Sequence, residues 1–393
     1  MDIKDRIELE ADRCVKCGIC LPHCPTYKLY RNEGESPRGR IALIQALAND
    51  DLQSQRAEHH LSHCLTCLAC ENACPSSVKY GKLINLHREQ QTVKHDQKLA
   101  VGLSLLCKLP YSKATYPLYW AYRLFGIRPL ARLLMGRRFR RLDNLLPLNA
   151  GPARITSRAI TTEKKLRVGL FTGCVARITD RKPLQATIKV LNRLGVEVIL
   201  PKEQNCCGAL HHHKGQPKVA EQLAKANNHA FNEQTIDTIV YIASGCGAQL
   251  VKSSAFDMPV MEICQFLNQL DWPPNRTLAP YSGSALLHTP CTLKNHLGLE
   301  QETEVLLNKI PDIHLKKPPH SDCCGAAGSL LIEQPELSDR LREPILKALT
   351  KNPTDLLLTS NSGCMMHLRA GISGAQLQTE TIHPVELIER QLL

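Results

Sequence analysis

Two short stretches carry most of the chemistry this sequence can do. "CVKCGICLPHCP" places Cys14, Cys17, Cys20 and Cys24 before Pro25, and "CLTCLACENACP" places Cys64, Cys67, Cys70 and Cys74 before Pro75. Both runs are C-x2-C-x2-C-x3-C-P, the spacing of bacterial two-cluster ferredoxins. Three cysteines two residues apart can wrap one face of an iron–sulfur cubane, while the fourth diverges to the other cluster. One [4Fe-4S] cluster is therefore expected on Cys14, Cys17, Cys20 and Cys74, and a second on Cys64, Cys67, Cys70 and Cys24. Zinc sites use similar spacings but need only four ligands, and they rarely come as two matched runs. A redox dithiol is the weaker alternative.

Eight further cysteines lie downstream. The triplet Cys-Cys-Gly occurs twice, in "KEQNCCGALHHH" and "HSDCCGAAG". Cys174 to Cys291 and Cys206 to Cys323 are each 117 residues apart, and Cys246 to Cys364 is 118. So constant a period marks an internal duplication. It predicts one group of Cys174, Cys206, Cys207 and Cys246 and another of Cys291, Cys323, Cys324 and Cys364. Thiolate-rich groups select zinc or iron–sulfur clusters, and residue types alone do not separate the two. Packing cysteines, or a catalytic dithiol at Cys206-Cys207, are the competing readings. Gly208 and Gly325 would let the backbone approach closely or adopt positive φ. His211, His212, His213, His288, His320 and His367 accompany these groups as candidate ligands or supporting donors, each more ordinarily a hydrogen-bonded histidine. Cys107 and Cys264 read as buried small side chains.

The elements that must position these groups follow from periodicity. From residue 166, apolar runs such as "RVGLFTGC", "VEVILP" and "TIVYIASGCG" alternate with helical stretches such as "PLQATIKVLNRLG", and the same order recurs in "SALLHTPC", "IHLKKP" and "TDLLLTSNSGC". This is βαβ alternation, which implies parallel sheets covered by helices. Ligands bind at the carboxyl ends of strands in such sheets, so cysteines distant in sequence should meet there. Between the ferredoxin-type runs, "PRGRIALIQALAND" is helical. The expected fold class is α+β multi-domain, with a mainly helical N-terminal two-cluster unit followed by two repeated α/β, parallel-sheet, Rossmann-like units. The domains are read as 1–95, a basic aromatic connector and linker at 96–165, a first repeat at 166–280 and a second at 281–393.

Composition narrows the setting. The chain of 393 residues has 43% hydrophobic residues, enough for two or three cores. Eighteen cysteines without a signal-like N-terminus or an apolar span point to a reducing, cytoplasmic compartment and to metal rather than disulfides. Of the formal charge of +12, nine lysines and arginines with no acidic residue fall in segment 108–142, beside seven of the chain's aromatics. That mixture suits peripheral contact with the inner face of the cytoplasmic membrane or docking on an acidic partner. A solvated basic face is the plain alternative, and nucleic acid is not an expected partner. No G-x-G-x-x-G loop after a strand signals a dinucleotide site.

Taken together, the paired runs, "CPTY" at 24–27, "SPRGRIALI" at 36–44, "CLTCLACENACPSSVKY" at 64–80, "ASGCGA" at 243–248 and "CTL" after Pro290 resemble the iron–sulfur subunit of bacterial glycolate oxidase. Nearly the whole chain takes part. The resemblance implies an electron-transfer subunit whose FAD-binding dehydrogenase partner oxidises a 2-hydroxy acid, with electrons leaving to a quinone or another acceptor and FAD held only by partner subunits. Related subunits serve lactate and glycerol-3-phosphate dehydrogenase complexes. Heterodisulfide reductase shares the CCG repeat, which keeps thiol/disulfide chemistry as an alternative, and a zinc-stabilised scaffold is a third. In the heterodisulfide-reductase type each repeat ends in CxxC, whereas Gln249 and His367 stand at those positions here. A third [4Fe-4S] cluster, zinc or neither stays open for each CCG group.

Overall fold

The computed structural model describes residues 2–95, 121–122, 127–145, 166–253, 256–318 and 323–393. Cys107, His320 and residues 108–120 and 123–126 of the basic segment lie outside these residues.

The N-terminal unit is built from helices, as expected. Helix α1 spans Ile3–Ala11, α2 Pro25–Tyr30, α3 Pro37–Ala48, α4 Gln55–Ser62, α5 Ala69–Asn72 and α6 Tyr80–His95. Local signals set several starts. Cys24 is the N-cap of α2 with Pro25 at the first helical position, where its missing N–H is no loss. Ser36 caps α3, accepting from the Gly39 N–H at 2.9 Å. Helices α1, α3 and α6 pack on one another around Ile7, Ile41, Ile44, Leu83 and Ile84. Cys64 and Cys70 belong to the same cluster, so the cysteine loops are pinned to a rigid core.

Each repeat holds a four-stranded parallel sheet. In the first, β1 is Arg167–Phe171, β2 Glu197–Ile199, β3 Thr238–Tyr241 and β4 Val260–Glu262, in the order β2-β1-β3-β4. In the second, β5 is Ser284–Leu287, β6 His314–Lys316, β7 Leu356–Leu358 and β8 Glu380–Ile382, in the order β6-β5-β7-β8. The identical order confirms the duplication. Strands β4 and β8, of three residues each, close one edge of their sheets in addition to the strands read from the sequence. The order reverses direction beside the first strand of each repeat, and the carboxyl ends of β1 and β3, or of β5 and β7, flank that switch point.

The two repeats share one core across a pseudo-two-fold arrangement. Helix Arg181–Arg193 packs on Pro384–Gln391, and helix Ile263–Gln269 packs on Glu302–Leu307. Within each pair, one helix follows a repeat's first strand and the other follows the partner repeat's last strand. Leu184 and Leu191 thus meet Val385 and Ile388, while Ile263 and Leu267 meet Leu306 and Leu307.

His383, the N-cap of Pro384–Gln391, ties the repeats together. Its Nε2–H donates to Ile242 O at 2.9 Å, and its Nδ1 accepts from Val385 N at 3.1 Å. Burial pulls its pKa from 6.5 to about 4. The unfolded chain therefore binds the extra proton between those values, and stability falls as pH drops through that window, by about 1.4 kcal/mol per pH unit for this one group. In His383→Asn, the slope of unfolding free energy against pH over this range should fall by about that amount, as measured by denaturant titrations at stepped pH.

Candidate metal centres

The two ferredoxin-type loops share one backbone device. Lys16 and Gly18 in the first, and Thr66 and Leu68 in the second, all have positive φ, between 51° and 85°. Left-handed residues placed between cysteines turn successive N–H groups inward, forming the concave nest that favours sulfide-rich, negatively charged groups. For Leu68, at φ 58°, the conformation is strained and the packed surroundings must hold it.

The sulfurs gather as two sets. Cys14, Cys17, Cys20 and Cys74 line one cavity, with Cys70, Pro37, Arg38 and Val78 also at its wall, so the fourth cysteine of the second run lies beside the first three of the other. Cys24 joins Cys64, Cys67 and Cys70, which are close enough to raise one another's charging cost. Cys17 is exposed, whereas Cys24, Cys64 and Cys70 are buried.

Behind the second set lies a buried polar network that motif reading did not reveal. Arg40, 2% exposed, donates to Glu35 Oε2 at 2.6 Å, to Thr26 Oγ1 at 2.9 Å and to the His60 carbonyl at 2.9 Å, and its Nη1 is 3.9 Å from Cys24 Sγ. Glu35 also receives His60 and His63 at 2.8 and 2.9 Å. The Tyr80 hydroxyl donates to Cys64 Sγ at 3.4 Å. Burial opposes the Cys64 thiolate, yet the Arg40 and Arg88 guanidiniums and the Tyr80 hydroxyl outweigh it and hold that thiol below its ordinary pKa. Residue types do not signal this network, because Arg38 and Arg40 both stand in α3 and only Arg40 is buried.

The CCG cysteines converge as well. In the first repeat, Cys174 Sγ lies 3.3 Å from Cys206 Sγ, and Cys207 hydrogen-bonds both Cys206 and Cys246. In the second, Cys324 Sγ lies 2.8 Å from Cys364 Sγ, and Cys323 hydrogen-bonds Cys291 and Cys324. Both are chains of four sulfurs in the same order. The glycine of each triplet has φ near 80° and turns its N–H back to the first sulfur, 3.4 Å away in both repeats. A Cβ on Gly325 would lie 2.4 Å from Ser338 O, so the close approach requires glycine. Cys246 and Cys364 do not end strands, as the sequence suggested. Strands β3 and β7 stop at Tyr241 and Leu358, and both cysteines sit in the first turns of helices Ser244–Ser253 and Ser362–Gly374.

The histidines divide sharply. His211 bonds Gln216 at 2.7 Å, and His212 contacts Lys252 at 2.9 Å. His213 is drawn down to about 3 by burial and by Arg88. The triple histidine thus packs toward α6 rather than entering the sulfur group. His367 is spent on Ser338 and Arg342. Among the described candidate histidines, His288 alone joins the sulfurs: a ring nitrogen lies within 4.8 Å of both Cys324 and Cys364. Burial lowers its pKa to about 4, leaving the neutral imidazole a metal needs.

The N-terminal unit meets the second repeat at its cysteines. Cys67, Cys291 and Cys323 line one cavity and pack into one cluster with Leu65, Leu330 and Leu337. Asn295 donates to the Cys67 carbonyl at 2.8 Å, and His296 to the Thr66 carbonyl at 3.0 Å.

A helical two-cluster unit joined to a doubled Cys-Cys-Gly unit defines an iron–sulfur protein of the dicluster-plus-CCG class. Residues 10–78 match the family model of a 4Fe-4S dicluster domain, and residues 168–251 and 285–369 match that of a cysteine-rich domain, named CCG. The chain belongs to the family of glycolate oxidase iron-sulfur subunits. It is 30% identical to the "Glycolate oxidase iron-sulfur subunit" of Escherichia coli (strain K12), with 98% of this chain and 96% of that protein aligned. It is also 29% identical to the "Probable glycolate oxidase iron-sulfur subunit" of Bacillus subtilis (strain 168), over 98% and 95% of the two chains. A more distant relative, at 24% identity over 98% and 94%, belongs to the dihydromethanophenazine:CoB--CoM heterodisulfide reductase of Methanosarcina barkeri. The chain is accordingly an oxidoreductase-type iron–sulfur subunit carrying [4Fe-4S] clusters.

Proposed function

We propose that the chain passes electrons from reduced FAD on a partner dehydrogenase subunit, which oxidises glycolate or a close 2-hydroxy acid, toward a quinone or other acceptor. The observation that carries this is the gathering of the eight N-terminal cysteines into two sets, one open to solvent at Cys17 and one buried beside the network of Arg40 and Glu35. Cys14, Cys17, Cys20 and Cys74 hold one [4Fe-4S] cluster, and Cys64, Cys67, Cys70 and Cys24 hold the other. When bound, such clusters supply the one-electron steps into which a flavin's two electrons must be divided. The protein's own part is electrostatic: inward N–H groups, Arg40, Arg88 and Tyr80 stabilise negative charge at buried sulfur. Cys174, Cys206, Cys207 and Cys246, with Cys291, Cys323, Cys324 and Cys364, form the two further thiolate groups. The domain limits 1–95, 96–165, 166–280 and 281–393 go with this assignment, as does a cytoplasmic location.

The partner flavoprotein docks over the loop that exposes Cys17. Val15 and Ile19, which flank it, are 69% and 49% exposed, an apolar surface of the kind interfaces cover. In the complex with the FAD-binding subunit, Val15→Asp with Ile19→Asp should slow glycolate-driven reduction of a quinone analogue at least about tenfold, since 1.4 kcal/mol of lost docking energy is tenfold. Iron content should not change. An unaltered rate would remove this face from consideration.

The basic segment supports a second contact. Helix Ile127–Leu134 exposes Leu130, Leu133 and Leu134, and Met135 is exposed between it and helix Gly136–Leu145, beside arginines, which suits an anionic membrane surface. Arg141 is engaged elsewhere, in an ion pair with Asp339 of the second repeat, and Arg128 and Arg132 pair with Asp143. Among the described residues, no helix is long and apolar enough to cross a membrane.

A further inference from the structure

His288 follows β5 and is 2% exposed. Its backbone N–H donates to Leu358 O at 2.9 Å, and its Nδ1 is 3.0 Å from Thr359 Oγ1, so the ring is held from two sides. The other ring nitrogen, Nε2, is buried with no hydrogen-bond partner. An unpaired nitrogen so deeply buried calls for an explanation. The sulfurs of Cys324 and Cys364 supply one, because a nitrogen of this ring and both sulfurs lie within 4.8 Å of one another.

That spacing has a chemical meaning. Ligands of a zinc-class ion lie about 2.0–2.3 Å from it, and so no more than about 4.6 Å from each other. Among the described residues, His288, Cys324 and Cys364 are the group that approaches this compactness. The ferredoxin-type sulfurs are spread more widely, around a larger space. The first repeat offers an internal contrast. Subtracting the 117-residue period from 288 gives Phe171, which packs in one cluster with Cys207 and Cys246 and has no nitrogen to offer.

We propose that the second CCG group binds a single zinc-class ion through His288 Nε2, Cys324 and Cys364, with Cys323, which lies outside that compact trio, moving in as the fourth ligand when the ion binds. Cys323 is the adjoining thiol, hydrogen-bonded to Cys324. Thr359 is a positioning residue: by engaging Nδ1 it leaves Nε2 as the lone-pair nitrogen, as the partners of metal-bound histidines commonly do. The two repeats are then chemically unequal despite their common fold. The ion fixes the loop of Cys323 and Cys324 against the loop of Cys67.

The test is elemental analysis of the full chain purified without oxygen, as wild type and as His288→Phe, the residue the first repeat carries. The variant should lose about one zinc per chain while retaining the iron of the two ferredoxin-type clusters, about eight atoms. Thr359→Val, with the imidazole still present, should weaken zinc binding about tenfold or more in a chelator competition. A wild type without zinc, an unchanged zinc content in His288→Phe, or loss of iron instead of zinc would each overturn the proposal. Should His288→Phe not fold, zinc-edge X-ray absorption of the wild type decides. A first shell containing nitrogen supports the site, and an all-sulfur shell refutes it.

Discussion

Replacing Arg40 with methionine should destabilise the chain by about 3–5 kcal/mol, the range found when one partner of a buried ion pair is removed. The size follows from what stays behind. Glu35 is 3% exposed and would keep His60 and His63 but lose its guanidinium partner. The Thr26 hydroxyl and the His60 carbonyl would each lose a donor in a place water does not reach. Methionine matches the volume of the stem but none of these bonds. The sulfurs feel the change too, since Arg40 favours charge at Cys64 and lies beside Cys24. Chemical denaturation read by circular dichroism measures the first effect. Iron analysis measures the second, with a fall from about eight toward about four atoms expected as the buried cluster is lost. A double variant, Glu35→Gln with Arg40→Met, should recover part of the stability, because no buried carboxylate is then left alone. A loss below about 1 kcal/mol in the single variant would place this pair among surface-like bridges instead.

The second large effect concerns which cysteines act together. Cys74→Ser should remove the cluster whose other ligands are Cys14, Cys17 and Cys20, taking about four of about eight irons. Adding Cys17→Ser should remove no more iron, because both residues serve one cluster. Adding Cys67→Ser instead should remove nearly all of it. If each run held its own cluster, Cys67→Ser with Cys74→Ser would spare about four irons, and the two pairings would exchange results. The structural ground for the crossed assignment is that Cys74 lines the cavity of Cys14, Cys17 and Cys20, while Cys70 at the same wall is buried in the core with Cys64.

Much of this architecture is legible in the residues. The spacing of the two CxxCxxCxxxCP runs states the cluster type, and the 117-residue period states the duplication before any strand is placed. Runs such as "RVGLF" and "TIVY" are apolar after their first residue because both faces of a parallel strand are covered, and they became β1 and β3. What stayed hidden depends on three-dimensional approach. Nothing in a helical "PRGRIALI" tells that Arg40 turns inward to meet a glutamate and two histidines from neighbouring segments. His288 looks no different from His211 or His367 in sequence. All three are buried, and what singles out His288 is its unpaired Nε2 and its place beside two thiols. The placement of Cys246 and Cys364 in helical first turns was likewise invisible, because the small and polar residues of "ASGC" and "TSNSGC" mark the end of a strand without showing that a helix has already begun.

The central claim is that electrons from a flavin-bound substrate oxidation reach this chain's N-terminal cysteine sets. Freeze-quench electron paramagnetic resonance of the complex with its FAD-binding subunit, sampled after glycolate is added, tests it most directly. Signals of reduced [4Fe-4S] clusters should grow in as flavin reoxidises, and should be absent when the isolated chain is given glycolate. Flavin reduction with no cluster signal, or cluster reduction by glycolate in the isolated chain, would contradict the account.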